Sequence, residues 1–169
     1  MTVPFWGHSG PVNAVAYSPD GACLATAGDD GTVRIWDSRS GAQQRTLLVQ
    51  AEYVYAVAYS PDGASLATVG KAGTVWIWDS RSGAQRHALT GHTGWVNAVA
   101  YCPDGACLAT AADDAMVRIW DSRSGAQQRT LTGHTGGVNG VAYHPDGASL
   151  ATAGRDGTVR VWDSRSFEQ

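Results

Sequence analysis

A Trp-Asp pair returns four times along this chain at one spacing: Trp36-Asp37, Trp78-Asp79, Trp120-Asp121 and Trp162-Asp163, a period of 42 residues. A strict repeat of that length means that each unit is one supersecondary element burying its apolar faces against its neighbours. Four periods account for 168 of the 169 residues. No room remains for a second domain, and function must come from the array itself.

Within one repeat the hydrophobic pattern has period two. Val12-Asn-Ala-Val-Ala-Tyr17 alternates and runs into Ser18-Pro-Asp-Gly21, where Pro presets φ and Gly accepts a positive one. Cys23 to Ala27 gives a second strand, Asp29-Asp30-Gly31 a turn, and Thr32 to Asp37 a third strand rich in β-branched and aromatic residues. After Ser38-Arg-Ser-Gly41, the polar run Gln43 to Leu47 suits an outer edge. Each unit therefore predicts a four-stranded antiparallel meander. Small residues on the first strand, Ala14 and Ala16, with bulk at Val33, Ile35 and Trp36, suit wedge-shaped sheets packed radially around an axis.

Composition narrows the partners. The net charge is −3, and 13 of the 15 acidic residues are Asp in repeated turn or strand-end positions, where they bond the local backbone. Lys71 is the only lysine and the arginines are spread through the repeats, so no basic stripe exists for a nucleic acid. No segment of about 20 apolar residues and no export signal occurs, which predicts no membrane partner and a cytoplasmic location. Three cysteines are then expected to be reduced thiols, although Cys102 and Cys107 flank one hairpin.

These features resemble the WD-repeat β-propellers along the whole chain: Gly-His at Gly7-His8, Gly91-His92 and Gly133-His134, Pro-Asp-Gly in every first hairpin, and Trp-Asp closing every third strand. The resemblance implies an all-β fold of four four-stranded antiparallel blades. It also implies a hydrogen-bonded structural tetrad per blade, placed by position at His8, Thr26, Asp30 and Trp36, at His92, Thr110, Asp114 and Trp120, and at His134, Thr152, Asp156 and Trp162. Repeat two departs from this, since Gln50 stands for His and Ala72 for Asp while Thr68 and Trp78 remain. A His facing Ala would be left unsatisfied at about 1–3 kcal/mol, so losing both together is coherent, and blade two is expected to be the softest.

The chain is out of phase with its meander. The repeats run over about residues 7–48, 49–90, 91–132 and 133–169 of a single propeller domain, and the last has no fourth strand. Residues 1–6 fill the missing slot, with Phe5 aligned to Leu131, and should complete blade four. Closure within one chain would need about 90° between blades, against about 45° in an eight-bladed ring. Nothing in these repeats suggests unusually wide wedges. A homodimer closing an eight-bladed ring is therefore expected, and it also avoids exposing two apolar faces.

No catalytic signature is present: there is no H-E-x-x-H, P-loop or G-x-S-x-G, and Glu52 and Glu168 are the only glutamates. No cofactor is implied. Cys102 and His144 occupy one hairpin position in neighbouring repeats, but two ligands are too few for zinc, which takes about four. Differences among repeats cluster instead in the loops before strand one and between strands two and three, both at one end of the blade. They single out Tyr53, Tyr55, Lys71, Trp95 and Arg155 as a candidate partner-binding face. The sequence thus reads as a non-catalytic protein-interaction scaffold that closes a propeller by homodimerisation. An engineered or excised self-assembling fragment without a natural ligand, and a glycan-binding propeller, are the alternatives.

Overall fold

The computed structural model describes residues 4–167. Fifteen strands are formed there. β1 (Val12–Tyr17), β2 (Cys23–Gly28), β3 (Thr32–Asp37) and β4 (Gln43–Leu48) make the first sheet in chain order. β5 (Val54–Tyr59) to β8 (Gln85–Leu89), through β6 (Ser65–Gly70) and β7 (Val75–Asp79), make the second. β9 (Val96–Tyr101), β10 (Cys107–Ala112), β11 (Val117–Asp121) and β12 (Gln127–Leu131) make the third. β13 (Val138–Tyr143), β14 (Ser149–Gly154) and β15 (Val159–Asp163) make the fourth. Every pairing is antiparallel, in equivalent register, with irregularities at the start of each first strand and between third and fourth strands.

The expectation of four four-stranded blades is corrected on one point, because the fourth sheet has three strands among the described residues. The chain reaches Asp163 at the end of β15 and then turns through a hydrogen bond from the Phe167 amide to the Asp163 carbonyl. Of the segment expected to supply that strand, residues 1–3 lie outside the described part. Pro4 to Trp6 make no strand pairing within the chain, and Phe5 lies against Trp36.

First strands pack in succession, β1 on β5, β5 on β9 and β9 on β13, so they form the inner row of the array. Three apolar layers lie between consecutive sheets. In the first, Ala25, Ala27, Val33, Ile35 and Leu47 of sheet one meet Val57, Leu66, Trp76 and Trp78 of sheet two, with Ala14 and Ala16 beside them. Two equivalent layers join sheet two to three and sheet three to four.

The array is open. On sheet one, Val15 and Tyr17 are 62% and 66% exposed, and Leu24 is half-buried where Leu66, Leu108 and Leu150 are fully covered. On sheet four, Val159 and Val161 are 71% and 59% exposed, whereas Val33, Val75 and Val117 and Ile35, Ile77 and Ile119 are buried at the same places. These two faces are the unpaired halves of a layer that the chain builds three times internally. No helix of the described residues is long and apolar enough to cross a membrane.

Candidate functional site

Each tetrad starts from the strand Thr, whose hydroxyl sits between two rings. In blade one Trp36 Nε1–H donates to Thr26 Oγ1 at 2.8 Å, and the hydroxyl lies 2.7 Å from His8 Nε2. His8 Nδ1 then faces the Asp30 carboxylate at 3.0 Å. Proton donors run one way along this chain, from indole to hydroxyl to imidazole to carboxylate, so every member is satisfied. Blade three repeats it with Trp120, Thr110, His92 and Asp114, each contact at 2.8 Å. Blade four does so with Trp162, Thr152, His134 and Asp156 at 3.0, 2.8 and 2.9 Å.

The carboxylate also ties the loops together. Asp30 accepts from the Ser9 and Thr32 amides and from the Thr32 hydroxyl, a donor that the alignment of four residue types left out. Burial works to raise the Asp30 carboxyl, but the bonds from Thr32, Ser9 and His8 outweigh it and hold it well below the usual carboxylate range. Asp156 behaves alike, with Thr135, Thr158 and His134 as donors. His92 is pulled down by burial, only partly offset by Asp114. A triad of this kind cannot serve as a nucleophile site: Thr110 and Thr152 are at most 1% exposed and their hydroxyls are already shared between a Trp and a His.

Blade two keeps only the Trp78 Nε1–H to Thr68 Oγ1 bond at 3.0 Å, with Gln50 and Ala72 exposed. A third change accompanies those two. Arg34 and Arg118 bond Gln43 and Gln127 and, in blade one, Arg34 reaches within 3.9 Å of Asp30; blade two has Trp76 in that place. Trp76 is buried in the first apolar layer, 6.4 Å from Trp78 between ring centroids. Loss of the polar network thus coincides with an added aromatic side chain in the apolar layer, and the coupled Arg-to-Trp change was the signal in the aligned repeats that could have shown it.

The loop face brings four of its five candidate residues into one cluster. Tyr53 and Tyr55 stack with centroids 6.4 Å apart and planes 6° from parallel, and Trp95 of the next blade lies 6.0 Å from Tyr55. The Lys71 ammonium stands 5.1 Å from the Tyr53 centroid and 5.6 Å from that of Trp95, while also pairing with Glu52. Arg155 sits one blade further round, bonded to Asp113 at 3.0 Å and to Asn139 at 3.1 Å. It shares the rim but not the cluster.

At the other rim the hairpin substitutions keep the local geometry. Ser18 bonds Asp20 at 2.5 Å, Cys102 Sγ lies 2.9 Å from Asp104, and His144 Nδ1 lies 2.7 Å from Asp146. Cys102 and His144 therefore each serve their own turn. Among the described residues no group of three or more His, Cys, Asp or Glu side chains is placed to hold a metal ion.

Four matches to the WD domain, G-beta repeat model, at residues 2–37, 41–79, 83–121 and 125–163, cover most of the chain. The chain belongs to the WD-repeat family. Each WD unit is offset from the sheets: the second, third and fourth units contain the outer strand of one blade followed by three strands of the next. Similar curated proteins include Ribosome biogenesis protein ERB1 of Chaetomium thermophilum, 56% identical over 39 residues, 23% of this chain and 5% of that protein. The Periodic tryptophan protein 2 homolog of Dictyostelium discoideum is 60% identical over 35 residues, 21% of this chain and 4% of that protein. The shared stretches are about one WD unit long, so the chain spans only a small part of either relative.

Proposed function

We propose that this WD-repeat chain is a non-catalytic protein-interaction scaffold, and that it acquires a closed propeller by pairing head to tail with a second copy, two arcs of four blades making one ring. The observation that carries the reading is the pair of exposed terminal faces. Val15, Tyr17 and Leu24 on sheet one and Val159 and Val161 on sheet four stand where buried or half-buried counterparts pack at the three internal junctions. Fully burying a side chain of this size is worth about 1.5–3 kcal/mol over leaving it exposed. A twofold arrangement covers both faces of both copies.

The ring presents the loop rim to partners, with Tyr53, Tyr55, Trp95, Lys71 and Arg155 as its most distinctive groups. Aromatic residues with a few charges are common anchors of protein interfaces. A cytoplasmic setting, where thiols stay reduced, is part of this reading.

Light scattering on the purified chain tests the assembly, with twice 17.7 kDa expected. A monodisperse single chain at micromolar concentration refutes it. Affinity capture with a Tyr53→Ala, Tyr55→Ala, Trp95→Ala triple variant tests the scaffold. Partners should be lost, whereas equal recovery would make the protein a ring without a ligand on this face.

A further inference from the structure

The aromatic cluster on the loop rim has a chemistry of its own. Tyr53 and Tyr55 come from the entry to β5 and Trp95 from the entry to β9, so the cluster straddles two blades. Blades one and four carry Pro11 and Gly137 at the position of Tyr53 and Trp95, and Asp29, Asp113 and Arg155 take the place of Lys71. The combination of rings and ammonium therefore occurs once per chain. Its charged surroundings are mostly negative: Glu52 at the edge, and Asp29 and Asp113 acting on Tyr55 from the blades on either side. Asp113 is paired with Arg155, and Asp29 is held by the Asn13 amide at 2.6 Å without a cation of its own among the described residues.

Ring faces carry negative potential, and an ammonium within about 6 Å of a centroid is attracted to them. Lys71 Nζ meets that condition for Tyr53 and Trp95 at once. Neither of its holds is strong, because Glu52 is largely exposed and an exposed ion pair contributes little. A primary ammonium also gives up part of a tight hydration shell to lie there. An alkylated ammonium is less hydrated and makes wider contact with the rings.

We propose that Tyr53, Tyr55, Trp95 and Glu52 form a receptor for an alkylated ammonium carried on a partner protein's lysine-like side chain, with Lys71 as its built-in competitor. The inference rests on the loop rim being a partner face. Lys71 occupies the receptor in the free protein and swings out to solvent when the partner's cation enters. Its tether sets the threshold, so that only a cation with better ring contact than a primary ammonium displaces it.

The full chain is titrated with a capped trimethyl-lysine amide and with its neutral, isosteric tert-butyl analogue, following the backbone amide resonances of Tyr53 and Tyr55. Lys71→Ala should bind the cation at least about tenfold more tightly than wild type, because the competitor is gone while the rings and Glu52 remain. Lys71→Gln, which retains a polar stem, should do likewise and controls for local repacking. Adding Trp95→Ala or Glu52→Gln to Lys71→Ala should reverse the gain. Equal binding by wild type and both Lys71 variants, or equal binding of the neutral analogue, overturns the proposal. If partner capture is lost in the triple ring variant while no variant binds the cation, this inference fails and the scaffold reading stands. If the cation binds as expected but capture is unaffected by the ring substitutions, the receptor is real and the scaffold reading of this rim fails.

Discussion

Phe5 lies with its ring centroid 5.5 Å from that of Trp36. Leu47 shares an apolar layer with Trp78, Leu89 with Trp120 and Leu131 with Trp162, and Phe5 stands to Trp36 as those leucines stand to their tryptophans. Phe5 thus occupies the place that a leucine of a preceding blade's outer strand takes at the internal junctions. Under the proposed assembly that blade is the partner's fourth. Deleting residues 1–6 should then abolish the ring, seen as loss of the defined mass in light scattering, because the three-stranded sheet keeps an open edge. An unchanged mass and melting temperature would refute strand sharing.

His134→Ala or Asp156→Ala should each destabilise the protein by about 1–3 kcal/mol, since the remaining partners are left buried and unpaired. Gln50→Ala should cost far less, as Gln50 is exposed and belongs to no such network. Urea unfolding of the three variants checks the contrast. Equal losses at His134 and Gln50 would mean that the networks contribute nothing.

His92 gives blade three a dependence on pH. Burial lowers its folded-state pKa, so between that value and the unfolded value near 6.5 the unfolded chain binds the extra proton. Stability is therefore full above about pH 6.5 and falls as the pH drops below it. The carboxylates of Asp30, Asp114 and Asp156, all lowered, add a second loss below about pH 4. Hydrogen exchange of the β9 to β11 amides should speed up between pH 7 and 5.5 after correction for intrinsic rates, and His92→Gln should remove most of that change.

Ala115 holds a φ of 64°, at the position where Gly31, Gly73 and Gly157 have 72°, 67° and 79°. A left-handed conformation costs a residue with a Cβ about 1–2 kcal/mol, and glycine loses more unfolded-state entropy in return. Ala115→Gly should stabilise the chain by a net of about 0.5–1 kcal/mol, measured as a higher urea midpoint. A lower midpoint would show that the Ala115 methyl packs more productively than its turn geometry implies.

Cys107 should be the most reactive thiol. A hydrogen bond from Cys102 lowers it, assisted against burial by Tyr143, whose hydroxyl lies 3.4 Å away. Bonds to Cys107 and Asp104 together with burial raise Cys102, and burial raises Cys23. Because the thiolate is the nucleophile, brief alkylation at neutral pH followed by peptide mapping should label Cys107 first. Faster labelling of Cys23 would contradict this arrangement.

Strands, hairpins, blade number and the three networks were legible from the sequence because each depends on contacts that recur at fixed offsets. Period-two alternation sets a strand, Pro-Asp-Gly sets its turn, and β1 and β3 have the bounds that these rules give. Spacing that repeats four times places His, Thr, Asp and Trp together without knowledge of anything between them. What only the tertiary structure decided lies between blades and in the exceptions. It set Lys71 over the rings of Tyr53 and Trp95, which belong to different blades. It moved Arg155 away to Asp113, and seated Trp76 in the apolar layer between the first two sheets. It also left Val15 and Val161 bare at opposite ends of the arc. A repeated sequence fixes each unit through local geometry, whereas contacts between units depend on the angle at which they pack and on which copies the chain contains.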